Sequence, residues 1–175
     1  MFDAFQTAVF GKVADKLKER FPHKSLSLAF ADALVIEDLD FLKKHNKLIW
    51  EPGLKARVLI DMVEEHPIKL VIYYRGSPVG YAFGCYCSDT QSLKVCWMEK
   101  RNDAHEDLDH QMLGIVLDAY AAYGQFLHRR GTVVRAIAFM SPLEGSKRYY
   151  QDSGFEYIED FHSGSSAMVL HNLIK

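Results

Sequence analysis

Little in this chain points towards a membrane, a nucleic acid or an oxidising compartment. The first 20 residues carry charge throughout, with no unbroken apolar stretch and no cleavage-site pattern, which excludes a signal peptide or a membrane span there. Charge imbalance is almost absent: 21 Lys and Arg oppose 23 Asp and Glu, a formal net charge of −2. A chain so balanced makes no general electrostatic case for a nucleic acid or an anionic lipid surface as partner. Cysteine is scarce, with three residues at no framework spacing. Cys85 and Cys87 stand too near along one strand for a relaxed disulfide, so a reducing, cytoplasmic setting is expected. No repeat, low-complexity tract or linker divides the sequence, and residues 1–175 are read as a single domain able to bury a core. The remaining bulk figures, 49% hydrophobic and 25% charged, are those of a soluble globular protein.

Periodicity sets the element order. Phe2, Phe5, Val9, Val13 and Leu17 recur at three- and four-residue steps, one face of a helix over residues 2–20. Phe21-Pro22 stops it, because the residue before proline is driven out of the helical region. A short strand over 25–30 follows, then a helix over 33–45 along which Leu34, Ile36, Leu39 and Leu42 fall. Past Trp50-Glu51-Pro52-Gly53, residues 54–65 read as a third helix with Leu54, Val58, Ile60 and Met62 inward, stopped at His66-Pro67. Runs rich in β-formers at 69–74 and 79–86 join through Arg75-Gly76-Ser77-Pro78, a turn signal. Asp89-Thr90-Gln91 turns into a strand over 93–99, and a charged connection, 100–110, leads to a long helical pattern. The order αβααβββαβαββ predicts an α/β fold, mixed α+β in character, with a sheet flanked by helices.

The second half carries the most specific pattern. Gln111-Met112-Leu113-Gly114-Ile115-Val116 opens the long helix, an apolar strand spans 132–139, and the segment closes on Tyr149-Tyr150-Gln151-Asp152-Ser153-Gly154-Phe155. Gly131 lies 17 residues after Gly114, and Gly154 lies 23 after Gly131. From about Leu93 to the C-terminus, this order and spacing resemble the GNAT superfamily of N-acetyltransferases. The resemblance implies a central mixed, mostly antiparallel sheet flanked by helices. It further implies acetyl-CoA or another acyl-CoA as co-substrate, no metal, and an amine-bearing acceptor, either small molecule or protein. Gln111, Gly114, Ile115 and Val116 fall on the family's Gln/Arg-x-x-Gly-x-Gly/Ala loop, which binds pyrophosphate through backbone amides at a helix N-terminus. Backbone N–H groups near Trp97, Met98 and Glu99, at the splayed end of the 93–99 strand, would polarise the thioester carbonyl. Tyr150, four residues before Gly154, stands where many members place a tyrosine beside the sulfur to protonate the thiolate. Glu99, a carboxylate at that strand end, is the candidate base, against the plainer role of a solvated strand-end glutamate.

Three departures from the pattern shape the expectations. Val116 replaces a Gly or Ala, and its β-branched side chain is expected to crowd a phosphate seated there. Asp103, Glu106, Asp107 and Asp109 stand just ahead of the helix. They are read either as caps on a helix extended back to Asp103 or as an insertion turned away from the ligand; facing a pyrophosphate, they would repel it. Leu143 stands where many members carry asparagine. Two alternatives to an acetyl-CoA transferase follow: a GNAT-fold binding or regulatory protein without catalysis, and a transferase taking its acyl group from an acyl carrier protein. His105, Glu106, Asp109 and His110 have i, i+4 spacing that suits metal ligands, but nothing elsewhere completes a set and surface charge is the commoner explanation. The cysteines are read as small buried apolar residues. Tyr73, Tyr74, Tyr81, Phe83 and Tyr86 alternate on paired strands, where some would line an acceptor groove and at least half would be core. The acceptor's identity stays open at this level, and an oligomer remains possible.

Overall fold

The described residues, 2–22, 25–61 and 65–172 of this computed structural model, follow the predicted element order. They form α1 (Phe2–Leu17), β1 (Leu26–Phe30), α2 (Ala33–Lys44), α3 (Pro52–Asp61), β2 (Glu65–Tyr74), β3 (Ser77–Cys87) and β4 (Ser92–Lys100). Then come α4 (Met112–Arg129), β5 (Ala136–Met140), α5 (Lys147–Asp152), β6 (Glu156–His162) and β7 (Ser165–His171). The strands make one seven-stranded sheet in the order β1-β2-β3-β4-β5-β7-β6. β4 and β5 run parallel and the other neighbouring pairs antiparallel, which is the mixed, mostly antiparallel α/β sheet expected. Among the described residues no helix is long and apolar enough to cross a membrane.

Helices cover both faces. α1 and α4 pack on one through Phe10, Leu17, Val116, Tyr120 and Tyr123. On the other, Leu39 and Leu42 of α2 and Ala56 and Leu59 of α3 meet Val71, Tyr81 and Phe83 of the sheet. Each large apolar side chain buried in this way contributes roughly 1.5–3 kcal/mol.

Two helices turn differently from the pattern. In α1, Phe2 is exposed, and Gln6 joins Phe10, Val13, Ala14 and Leu17 in the buried stripe. Gln6 can be buried because its amide donates to Pro67 O at 2.6 Å and accepts from Lys69 N–H at 3.1 Å, so no polar group goes unpaired. In α3, Leu54 and Val58 are exposed, while Ala56 and Leu59 face the sheet. The helix starts earlier than expected, at Pro52, a residue suited to the first turn. The Asp40 carboxylate caps this start by accepting from Gly53 N–H at 3.1 Å. The expectations for the side chains of Ile60 and Met62 lie outside the described residues.

Three helices end alike. Asn46 after α2, Gly131 after α4 and Gly154 after α5 take φ of 58°, 94° and 91°. Paired hydrogen bonds from that residue and the next back to the last turn close each end. In α5 the longer bond runs from Phe155 N–H to Tyr150 O at 3.1 Å, and the two rings lie 5.3 Å apart. The Tyr-x-x-x-Gly-Phe pattern is therefore a helix terminus that clamps Tyr150 in place.

Candidate active site

One irregularity between β3 and β4 builds the site. Phe83 pairs with Trp97 and Gly84 with Val95, so Cys96 is an extra residue, a β-bulge. Gly84 permits this approach, since a Cβ there would stand 1.8 Å from Lys94 O. Beyond the bulge β4 stays on β3 as far as Lys100, whereas its parallel ladder with β5 ends at Val95 and Phe139. The strands part and leave a cleft of about 300 Å³. Residues 95–98 form one wall and 139–143 the other, with Trp50, Ser146 and Tyr150 completing it. Among the described residues, no Asp, Glu, Lys, Arg or His side chain lines this cleft.

The structure brings Trp97, Met98 and Tyr150 together in the lining of this cleft. Tyr150 is buried against Phe139 and Phe155, with ring centroids 5.2 and 5.3 Å away. Burial, with a smaller contribution from Tyr149, pushes its phenol up to about 12. Glu99 is placed otherwise. It is not among the cleft-lining residues. Its carboxylate accepts from Ile49 N–H, from Trp50 N–H at 3.2 Å and from Tyr81 O–H at 3.0 Å. Burial first, and the Glu99 charge second, hold the Tyr81 phenol well above its usual range. Three donors tie this carboxylate to the 49–50 backbone and to Tyr81.

The opening of α4 differs in detail from the motif. The helix begins at Met112 with Gln111 as its cap, not back at Asp103. Gln111 N–H donates to Leu108 O and Ile115 N–H to Gln111 O, both at 3.1 Å. The Gln111 and Ile115 amides are thus spent within the backbone, and the amides with no intrahelical acceptor are those of Met112, Leu113 and Gly114. Gly114 faces open space. Val116 lies in the second turn and is fully buried in the core, so its branched side chain points to the sheet rather than to the helix's open end.

Three of the four acids of the connection have partners of their own. Asp103 accepts from Arg101 Nε at 2.7 Å and sits 3.0 Å from Lys47 Nζ. These two cations, Arg101 first, hold its carboxyl well below the usual carboxylate range. Asp107 accepts from Tyr74 O–H at 2.6 Å, and Asp109 lies 3.8 Å from Lys100 Nζ. The connection also ties down the segment between α2 and α3. Asn102 donates to Asn46 O at 2.9 Å and to Lys47 O at 3.0 Å, while Lys43 Nζ donates to Ile49 O at 2.7 Å.

Sequence reasoning missed Trp50. An exposed tryptophan ahead of Pro-Gly between two helices is the available signal, but no spacing rule links it to β4. Leu143 lines the mouth of the cleft and is 72% exposed. Of the paired-strand aromatics, Tyr74, Tyr81, Phe83 and Tyr86 are buried, and Tyr73 donates to Asp38 at 2.7 Å. Cys85 and Cys87 are buried and are not joined in a disulfide. Among the described residues no group of three His, Cys, Asp or Glu side chains gathers as for a metal ion.

No family model matches the chain, and no curated protein matches it either. Solved structures do. A GNAT-family protein of Desulfovibrio desulfuricans superposes with a TM-score of 0.54 at 13% identity, covering 84% of this chain and 99% of that one. The ribosomal-protein-S18-alanine N-acetyltransferase of Escherichia coli gives 0.52 at 9% identity, over 82% and 90%. The microcin C7 self-immunity acetyltransferase MccE, solved with acetyl-CoA and AMP, gives 0.53 at 14% identity, over 85% and 93%. A sheet split between β4 and β5, with helices on both faces and likeness across most of each chain, gives this protein the fold of the GNAT acetyltransferases.

Proposed function

We propose that the protein is an N-acetyltransferase that moves an acetyl group from acetyl-CoA to an amine acceptor by direct attack. The observation that carries this is the uncharged cleft opened where β4 leaves β5, with Tyr150 in its wall. The free amides of Met112, Leu113 and Gly114 sit at the end of α4 that packs by the far end of β4. A Cβ on Gly80, which pairs with Lys100, would touch the Met112 methyl. They offer the donors and positive dipole end that a pyrophosphate needs. In support, Val116 is buried in the core, and Asp103, Asp107 and Asp109 each have a partner.

Inside the cleft the acceptor's lone pair forms the new N–C bond and the C–S bond breaks. Backbone N–H groups of 97–99 that point away from β3 stabilise the carbonyl oxygen as charge develops. Tyr150 donates its proton to the leaving thiolate, and the amine's surplus proton returns to the phenolate through water, since among the described residues no basic side chain lines the cleft. Glu99 is assigned to holding the 45–51 segment, not to proton abstraction.

Thermal unfolding with ligand tests this reading. Acetyl-CoA at 100 times its dissociation constant adds about 2.7 kcal/mol, which raises Tm by roughly 5–10 °C for a chain of this size. No shift at millimolar acetyl-CoA overturns the reading in favour of a binding protein. A shift with an acylated carrier protein alone transfers it to that donor.

A further inference from the structure

We propose that Trp50, held in place by Glu99, selects an acceptor whose amine-bearing carbon also carries an apolar group, and that polycationic amines are poor substrates. The proposal rests on the acetyl-CoA reading above and names its acceptor class.

The two substrates must enter from opposite faces. α4, with its free amides, packs on the face shared with α1, whereas the segment between α2 and α3 lies on the other. A donor held at α4 leaves the Trp50 side for the acceptor. What the acceptor meets there is apolar. Trp50 and Leu143 line the cleft and are 38% and 72% exposed. Ile49, next to Trp50, and Tyr149, next to Tyr150, are exposed as well. Two large apolar side chains of the cleft lining, Trp50 and Leu143, are thus exposed, with Ile49 and Tyr149 exposed beside lining residues, and such clustering marks a binding surface rather than scattered exposure.

Charge argues in the same direction. A polyamine or aminoglycoside brings several ammonium groups, each needing a carboxylate or hydrogen-bond acceptors once desolvated. The described cleft lining offers no carboxylate. The nearest one on β4, Glu99, already accepts from two backbone N–H groups and the Tyr81 hydroxyl. Those bonds reach the amides of Ile49 and Trp50 themselves, so the carboxylate sets where the indole stands. Lys43 to Ile49 O and Asn102 to Asn46 O fix the same segment from its other sides. Glu99 is therefore a positioning residue and Trp50 the contact.

The test measures thiol release from saturating acetyl-CoA with phenylalanine amide, leucine amide, glycine amide and spermidine. The apolar amides are expected to exceed glycine amide at least tenfold in kcat/KM, the order gained by burying one such side chain, with spermidine below all three. Trp50→Ala should abolish the preference through a higher KM, and Trp50→Phe should restore most of it. Glu99→Gln should raise acceptor KM by about tenfold and leave the shape of the pH profile unchanged. Equal rates with all four amines, or no amine-dependent release, overturn the proposal. So does a Glu99→Gln variant that loses kcat and a limb of the pH profile at unchanged KM, since that is a base. A Trp50→Ala variant that loses preference among acyl chain lengths instead shows the wall serving the donor and also overturns it. A missing thermal shift with acetyl-CoA would sink the underlying reading; a normal shift with a flat amine panel sinks only this inference.

Discussion

Tyr150 keeps its proton because burial makes the phenolate costly, and that is the property a proton donor to a thiolate needs. With the phenol pushed up to about 12, the acid form persists throughout any ordinary assay range. Replacing only the hydroxyl, Tyr150→Phe keeps the ring that packs on Phe139 and Phe155. The expected result is a fall in kcat of about a hundredfold, with acceptor KM and Tm unchanged in steady-state and melting measurements. A second residue-scale consequence follows from the cleft's lack of a basic side chain. The attacking amine must arrive neutral or lose its proton to water, so log(kcat/KM) should rise with unit slope up to the acceptor's own pKa. The sign is set by the acceptor: protonated amines do not attack, and the enzyme's acid is lost only above about 12. Comparing two acceptors of different basicity checks this, because the break should move with the acceptor and not with the protein.

Element ends, rather than element middles, carry the function. Gly154 and Gly131 both terminate helices at positive φ, and a Cβ on either would meet nothing within 4 Å. Alanine at each position should therefore cost the same backbone strain, about 1–2 kcal/mol, lowering Tm by roughly 2–8 °C. Their effects on turnover should differ. Gly154 closes the turn that sets Tyr150, so Gly154→Ala should also reduce kcat, whereas Gly131→Ala at the far end of α4 should not. Such ends are why much of this fold was legible. A left-handed glycine leaves its mark in the sequence, so the spacing of Tyr150-x-x-x-Gly154-Phe155 stood out before any coordinates, although its clamp on Tyr150 shows only in the structure. The face of α3 was not legible, because Ala56 contributes little to an apolar pattern and Leu54 and Val58 look like a stripe. Nor was the role of Glu99, whose three partners lie 18 to 50 residues away and exist only once the sheet has formed. Gly84 belongs between these cases: its presence in a strand signals close approach, but only the structure shows Lys94 O filling the space.

Across the whole molecule, the sheet is joined at its middle by a short seam. β1 to β4 form one antiparallel half, and β5, β7 and β6 the other. The parallel ladder between them covers four residue pairs, from Ser92 and Ala136 to Val95 and Phe139. A donor seated beyond that ladder would touch both halves, pairing with the exposed edge of β4 and resting its phosphates on α4. Binding energy is then delivered at this short parallel seam, and protection should concentrate there. Hydrogen exchange with and without acetyl-CoA should show at least tenfold slowing at the amides of 97–99 and 112–114. β1 and β2, which lie towards the other edge of the sheet and supply none of the cleft-lining residues, should exchange at unchanged rates. Slowing spread evenly across the sheet would mean that the ligand only stabilises the folded state and is not held in the split. Slowing confined to the surface between α2 and α3 would place it in the larger groove lined by Asp40, Lys43 and Arg57.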